Sequence, residues 1–258
     1  MSKDNQKIKE VVSLLKDKST REELGLFVVE GARSVRDIIE NKVGIHSIFI
    51  SQKAVNNFSD IVMRSLEVLG SDKIFCVDDK VFDKMTDTIT SQGILAIANI
   101  CIKKDLGLFR QGKKILYLDT ISDPGNLGTI IRTALASGFN NIVLLDCVDA
   151  YNPKVVRSSM GAITKVNIYI EKEGHQILRT LKQGKYKILT ATLDGTNIFT
   201  CKKNNDKIVL VIGSEAFGVS KEIQCLADKK ITIPMQNTES LNAAVSAGIL
   251  MYQLSEFA

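Results

Sequence analysis

Ile208-Val-Leu-Val-Ile-Gly213-Ser-Glu215-Ala-Phe-Gly218-Val-Ser220 joins an unbroken apolar run to a loop bracketed by two glycines. A short continuous run of Val, Ile and Leu that stops at a turn signal reads as a strand buried on both faces. Similar runs stand at residues 115–119, 141–145, 187–191 and 230–233, separated by stretches with helical periodicity. This alternation predicts an α/β unit with a mostly parallel sheet covered on both sides. The loop also excludes two nucleotide readings. Gly213 and Gly218 have the spacing of a Walker loop, but Val219 stands where the phosphate-binding lysine is required. No Gly-x-Gly-x-x-Gly follows a strand, so the Rossmann dinucleotide fingerprint is missing as well.

Open parallel sheets gather ligand-binding loops at the C-terminal ends of their strands, and two more loops of this kind stand out. The first is Asp119-Thr-Ile-Ser-Asp-Pro-Gly-Asn126-Leu-Gly-Thr-Ile-Ile-Arg132. Pro124-Gly125 reads as a turn and Asn126 as the cap of a helix whose apolar stripe is Leu127, Ile130, Ile131, Ala134 and Leu135. Arg132 lies off that stripe. It reads either as solvated surface or as a guanidinium placed to hold a phosphate or an oxyanion. The second is Ile233-Pro-Met235-Gln-Asn-Thr-Glu-Ser240-Leu241-Asn242, where a strand ends and a helix rich in small residues begins near Ser240, its expected cap.

The first hundred residues alternate in the same way, with helices over 5–18, 32–40 and 61–69 and strands over 26–31, 45–50, 73–77 and 93–98. Residues 103–114 are charged, carry two glycines and read as a linker. The expected domains are therefore 1–107 and 108–258.

The chain of 258 residues is 45% hydrophobic and 24% charged, enough apolar surface to exclude a disordered chain. No apolar run approaches the roughly 18 residues of a membrane span, and the N-terminus has no signal core, so a cytoplasmic protein is expected. The five cysteines are never closer than 24 residues and read as reduced core fillers, with neither a disulfide framework nor a zinc site. Net charge is +5, with 17 basic against 16 acidic residues through Arg110 and 17 against 13 beyond it. That excess permits a polyanionic partner without requiring one. Residues 179–187 and Lys202-Lys203 read either as phosphate contacts or as ordinary solvated surface.

Taken together, Asn126-Leu-Gly-x-x-x-Arg132-x-Ala, Gly213-x-Glu215-x-x-Gly218 and Ile233-Pro-Met235 followed by Ser240-Leu241-Asn242 resemble, in order and spacing, the three signature motifs of the SpoU (TrmH-like) RNA ribose methyltransferases. This resemblance covers residues 113–258. Phe27-Val-Val-Glu-Gly-Ala-Arg33 and Ser91-Gln-Gly-Ile-Leu-Ala are similar to the family's smaller, ribosomal-protein-like α/β substrate-binding domain, in which Arg33 and Arg36 would touch RNA. Two departures concern the third motif. Residues 235–240 form a short loop without the usual glycine, and Ala243-Ala-Val-Ser replaces a more typical Val-Ser-Val-Ala.

The resemblance implies a SPOUT domain with a deep trefoil knot that holds S-adenosylmethionine against Thr192, Leu193, Gly213, Gly218, Ile233, Met235 and Leu241. It implies methyl transfer to a ribose 2′-hydroxyl of structured RNA, ribosomal RNA ahead of transfer RNA, by a homodimer joined through the C-terminal domain. A noncatalytic RNA-binding or assembly factor of the same fold is the reading from another class. The proposed actor is Arg132. Because a guanidinium is effectively always protonated, stabilising the developing alkoxide suits it better than acting as base. Asn126 and Glu215 would hold the first two motif loops, while Ser240 and Asn242 would position ribose and methyl donor. The chemistry needs no metal.

Overall fold

A computed structural model describes residues 5–41, 43–88, 90–103, 112–172, 174–201 and 207–255. The expected linker and the boundary near residue 108 fall largely on 104–111, outside the described residues, as do Lys202 and Lys203. Contacts divide the chain into two units, residues 1–100 with 151–164, and residues 101–150 with 165–258.

The first unit runs α1 (Gln6–Lys16), α2 (Lys18–Leu24), β1 (Leu26–Glu30), α3 (Ala32–Glu40), β2 (Ile45–Ser51), α4 (Gln52–Asn57), α5 (Ser59–Leu69), β3 (Ile74–Val77), α6 (Asp79–Phe82) and β4 (Ile94–Asn99). Its four strands lie in the order β1-β4-β2-β3, with β4 antiparallel to both neighbours. The apolar stripe of α1, Ile8, Val11 and Leu14, closes one face of this sheet over Leu26, Val28, Phe49 and Leu95. Residues 151–164 pack in this unit although they lie beyond the expected boundary. There the ring of Tyr151 sits 4.7 Å from that of Phe27, and Arg157 pairs with Asp87 at 2.9 Å.

The second unit runs β5 (Lys114–Asp119), α7 (Pro124–Ser137), β6 (Asn141–Leu145), β7 (Asn167–Glu171), α9 (Gln176–Gln183), β8 (Lys187–Asn197), β9 (Ile208–Gly213), α10 (Lys221–Leu226), β10 (Lys229–Thr232) and α11 (Ala243–Gln253); α8 (Pro153–Ser158) belongs to the first. Six parallel strands lie in the order β10-β8-β9-β5-β6-β7. Strands at the centre of a sheet covered on both faces must be apolar throughout, and Ile115, Leu116, Tyr117 and Leu118 are each fully buried.

Several expectations are corrected. Strand β7 is an addition to the expected strands, because its Asn and Glu ends disguise it. The α7 cap is Asp123, whose Oδ1 accepts from Asn126 N at 2.7 Å. Pro124 therefore opens the helix, as its fixed φ and missing N–H allow, and Asn126 is left free to point elsewhere. Helix α11 is capped by Asn242, whose Oδ1 accepts from Ala244 N at 2.9 Å and Val245 N at 3.3 Å, so Ser240 lies in the preceding loop. The cysteines do not fill the core: Cys76, Cys101 and Cys225 are exposed, and Cys147 and Cys201 half-buried.

Candidate active site

The C-terminal ends of β8, β9 and β10 enclose a cavity of about 400 Å³. Its shape follows from the register. Lys230 of β10 pairs with Thr190 of β8, but the next residue, Ile231, pairs with Thr196. Residues 191–195 are thus displaced from that pairing, and Ala191, Thr192, Leu193 and Asp194 become one wall. Gly195 permits the displacement, since a Cβ there would lie 2.5 Å from the Ile231 backbone.

Gly213 ends β9 where the chain folds back upon itself. A Cβ at Gly213 would run into the backbone of Gly218 and Val219, so no side chain can be carried there. The tight turn between them is closed by Gly218 N donating to Ser214 O at 2.9 Å and by Phe217 N donating to Ser214 Oγ at 3.2 Å. Beyond the turn, the buried carboxylate of Asp119 accepts from Ser220 N at 2.8 Å. Asp119, at the end of β5, is a supporting residue that the sequence motifs do not indicate.

The carboxylate of Glu215 joins the three loops. Its Oε1 accepts from the Asn126 amide, from Asn242 Nδ2 at 3.0 Å and from Ala243 N at 3.3 Å. Asn242 Nδ2 also donates to Asn126 Oδ1 at 3.0 Å. The N-terminus of α11 favours a negative charge at this point, because its first N–H groups lack intrahelical partners. One oxygen therefore fixes the start of α7, the turn after β9 and the start of α11 together.

Thr192, Leu193, Gly213, Gly218, Ile233, Met235 and Leu241 all line the cavity, as do Glu215 and Ser240. Asn126 and Asn242 reach it through Glu215. Arg132 is exposed on α7, two turns into the helix, and among the described residues nothing pairs with its guanidinium. Arg33 and Arg36 belong to α3 in the first unit; Arg33 is exposed, and Arg36 pairs with Asp60 at 2.5 Å. Lining residues that the motifs do not indicate include Ile212, Ile231 and Leu250, whose side chains are buried, and the exposed Phe217. Among the described residues no group of three or more His, Cys, Asp or Glu side chains is gathered to hold a metal, and no helix is long and apolar enough to cross a membrane.

Comparison with known proteins gives two family matches, the SpoU rRNA Methylase family over residues 113–252 and the MRM3-like substrate binding domain over residues 5–96. The chain is 28% identical to the 23S rRNA (guanosine(2553)-2'-O)-methyltransferase RlmP of Bacillus subtilis, over 98% of this chain and 97% of that one. It is 26% identical to the mitochondrial rRNA methyltransferase 3 of Xenopus laevis, over 96% of this chain and 73% of that one. Among solved structures, the AdoMet-bound rRNA methyltransferase from Sinorhizobium meliloti superposes with a TM-score of 0.84 at 25% identity, covering 98% of this chain and 95% of that one.

Proposed function

Because the chain belongs to the SpoU rRNA methylase family, we propose that it transfers a methyl group from S-adenosylmethionine to a ribose 2′-hydroxyl of ribosomal RNA, of the 23S type. The observation that carries this reading is the junction at Glu215, which locks all three motif loops around one cavity. The cavity suits the methyl donor in kind. Its volume lies in the range of small-molecule sites, and its lining combines apolar residues such as Ile212, Ile231, Ile233 and Leu250 with the polar Thr192, Ser214 and Ser240.

S-adenosylmethionine, when bound, supplies an electrophilic sulfonium methyl. The chain must then align the attacking hydroxyl and accommodate the negative charge that grows on its oxygen as the O–CH3 bond forms, the S–CH3 bond breaks to leave neutral S-adenosylhomocysteine, and the hydroxyl proton passes to water. The second of these roles falls to Arg132, because an unpaired, permanently protonated guanidinium donates to a developing alkoxide without surrendering a proton. Asn126, Glu215 and Asn242 hold the loops in register, Ser240 would position the ribose, and Thr192, Leu193, Gly213, Gly218, Ile233, Met235 and Leu241 would hold the donor. A knotted path for the C-terminal chain belongs to the same reading, as membership of the family implies. The first unit, with Arg33 and Arg36, serves as the RNA substrate-binding domain, and the domain boundary falls at 107/108 within the linker 103–114.

Helix α11 leaves Val245 and Tyr252 half-exposed, at 50% and 47%, on a helix whose other face packs against α7. This apolar stripe supports a homodimer joined through the C-terminal domain, working in the cytoplasm where ribosomes are assembled.

The test is methyl transfer from labelled S-adenosylmethionine to ribosomal RNA lacking the modification, with wild type and Arg132→Ala compared and the product mapped. Label on one ribose, lost at least a hundredfold in the variant, is expected. Donor binding with no transfer to any RNA pool, transfer RNA included, would overturn the reading in favour of a noncatalytic RNA-binding factor.

A further inference from the structure

Phe217 is 90% exposed, more than any other large apolar side chain described, and it stands in the wall of the cavity. Surface phenylalanines are common singly, but this one is held in a constrained place. Its own N–H is bound to Ser214 Oγ, the residue after it closes the turn onto Ser214 O, and two residues earlier Glu215 is anchored to Asn126 and Asn242. The backbone direction of the side chain is therefore set before any partner arrives, which lowers the ordering cost of a contact made there. Its flanking residues Ala216 and Gly218 are small and leave both ring faces open.

We propose that Phe217 is a substrate-positioning residue, a platform on which the base of the target nucleotide stacks while its ribose enters the site. This rests on the methyltransfer reading. The geometry of a nucleotide supplies the link: the base is attached to C1′, the carbon bonded to C2′, so a 2′-hydroxyl delivered into the cavity leaves its base at the rim. Helical RNA presents no free base face, and single-stranded or extruded bases are held chiefly by stacking on aromatic side chains. An exposed ring on a rigid turn, two residues from the carboxylate that organises the site, meets that requirement.

The experiment compares wild type with Phe217→Ala, Phe217→Leu and Phe217→Trp. It reads steady-state methyl transfer, filter binding of the ribosomal RNA fragment with S-adenosylhomocysteine present, S-adenosylmethionine affinity and molecular mass by light scattering. Removing one stacked base is expected to lower kcat/KM for RNA by about 5- to 150-fold, mainly through KM, with a matching loss in filter binding. Affinity for S-adenosylmethionine should stay within about twofold, Trp should restore RNA affinity, and Leu should not. The proposal is overturned if Leu restores affinity as well as Trp does, which makes the ring a general apolar contact. It is equally overturned if S-adenosylmethionine affinity falls in parallel, or if the variants turn a dimer into a monomer. Wild-type protein that binds RNA but transfers nothing would remove the methyltransfer reading, while the filter-binding series would still decide the role of Phe217.

Discussion

A single oxygen, Glu215 Oε1, is the common acceptor for two amide side chains and one helix N–H. Hydrogen bonds to a charged acceptor are roughly twice as strong as neutral ones, so the full carboxylate matters and not only its shape. Glu215→Gln keeps the shape and loses the charge. It should lower the denaturation free energy by about 1 kcal/mol and slow methyl transfer at least tenfold, read from urea midpoints and initial rates. Cys147 carries a different residue-scale prediction. Burial raises its thiol from 9.0 to about 12, opposed only in part by hydrogen bonding from Ile121 N. Burial and the neighbouring Glu171 carboxylate push the Tyr117 hydroxyl upward too. In both, folding favours the protonated form, so the stability they supply is complete below their ordinary values and is lost as pH climbs toward 12. Urea midpoints should therefore fall between pH 8 and pH 10.5, and less steeply in Cys147→Ala.

At the scale of elements, helix caps and strand ends separate what the chain declares locally from what only packing decides. Ser240 and Asn242 are both good caps by type, and the choice falls on Asn242 because its amide also reaches Asn126 and Glu215. Asn242→Ala should accordingly cost about 1 kcal/mol or more through the cap alone, whereas Ser240→Ala should leave the melting temperature unchanged. Scanning calorimetry of the two variants decides it. The apolar strands β5, β6 and β9 are plain in the sequence, since burial on both faces demands continuous Val, Ile and Leu. Strand β7 is not, because its terminal Glu171 looks like a loop residue until Tyr117 Oη donates to it at 2.8 Å and Ile177 N at 2.7 Å. The three motif loops are likewise legible as loops at strand ends. Their meeting at one carboxylate is invisible, because Asn126 and Asn242 lie 116 residues apart. Gly213→Ala tests the closest approach: its Cβ has no room against the Gly218–Val219 backbone, and the variant should lose donor binding and melt at least 10 °C lower.

At the scale of the whole molecule, a short excursion of the chain, residues 151–164, completes the first unit from within the sequence of the second. The ring of Tyr151 packs tilted, at 57°, against that of Phe27, and Arg157 pairs with Asp87, whose own N–H reaches Glu30 at 3.4 Å. The aromatic contact is buried, the ion pair partly exposed, so their contributions should differ. Tyr151→Ala should destabilise by about 3 kcal/mol or more, whereas Arg157→Ala should cost at most about 1 kcal/mol. Denaturant unfolding of both variants measures the difference, and equal effects would contradict this division.

That excursion also bears on how such a protein can be cut and recombined. A domain joined by one linker can be exchanged between relatives at a single splice point, or shed by one proteolytic nick. Here a cut between residues 103 and 112 would leave the N-terminal fragment without residues 151–164, still clasped by a piece of the other fragment. The two fragments should co-purify after cleavage. A chimera that borrows a foreign N-terminal domain must therefore borrow the matching insert as well.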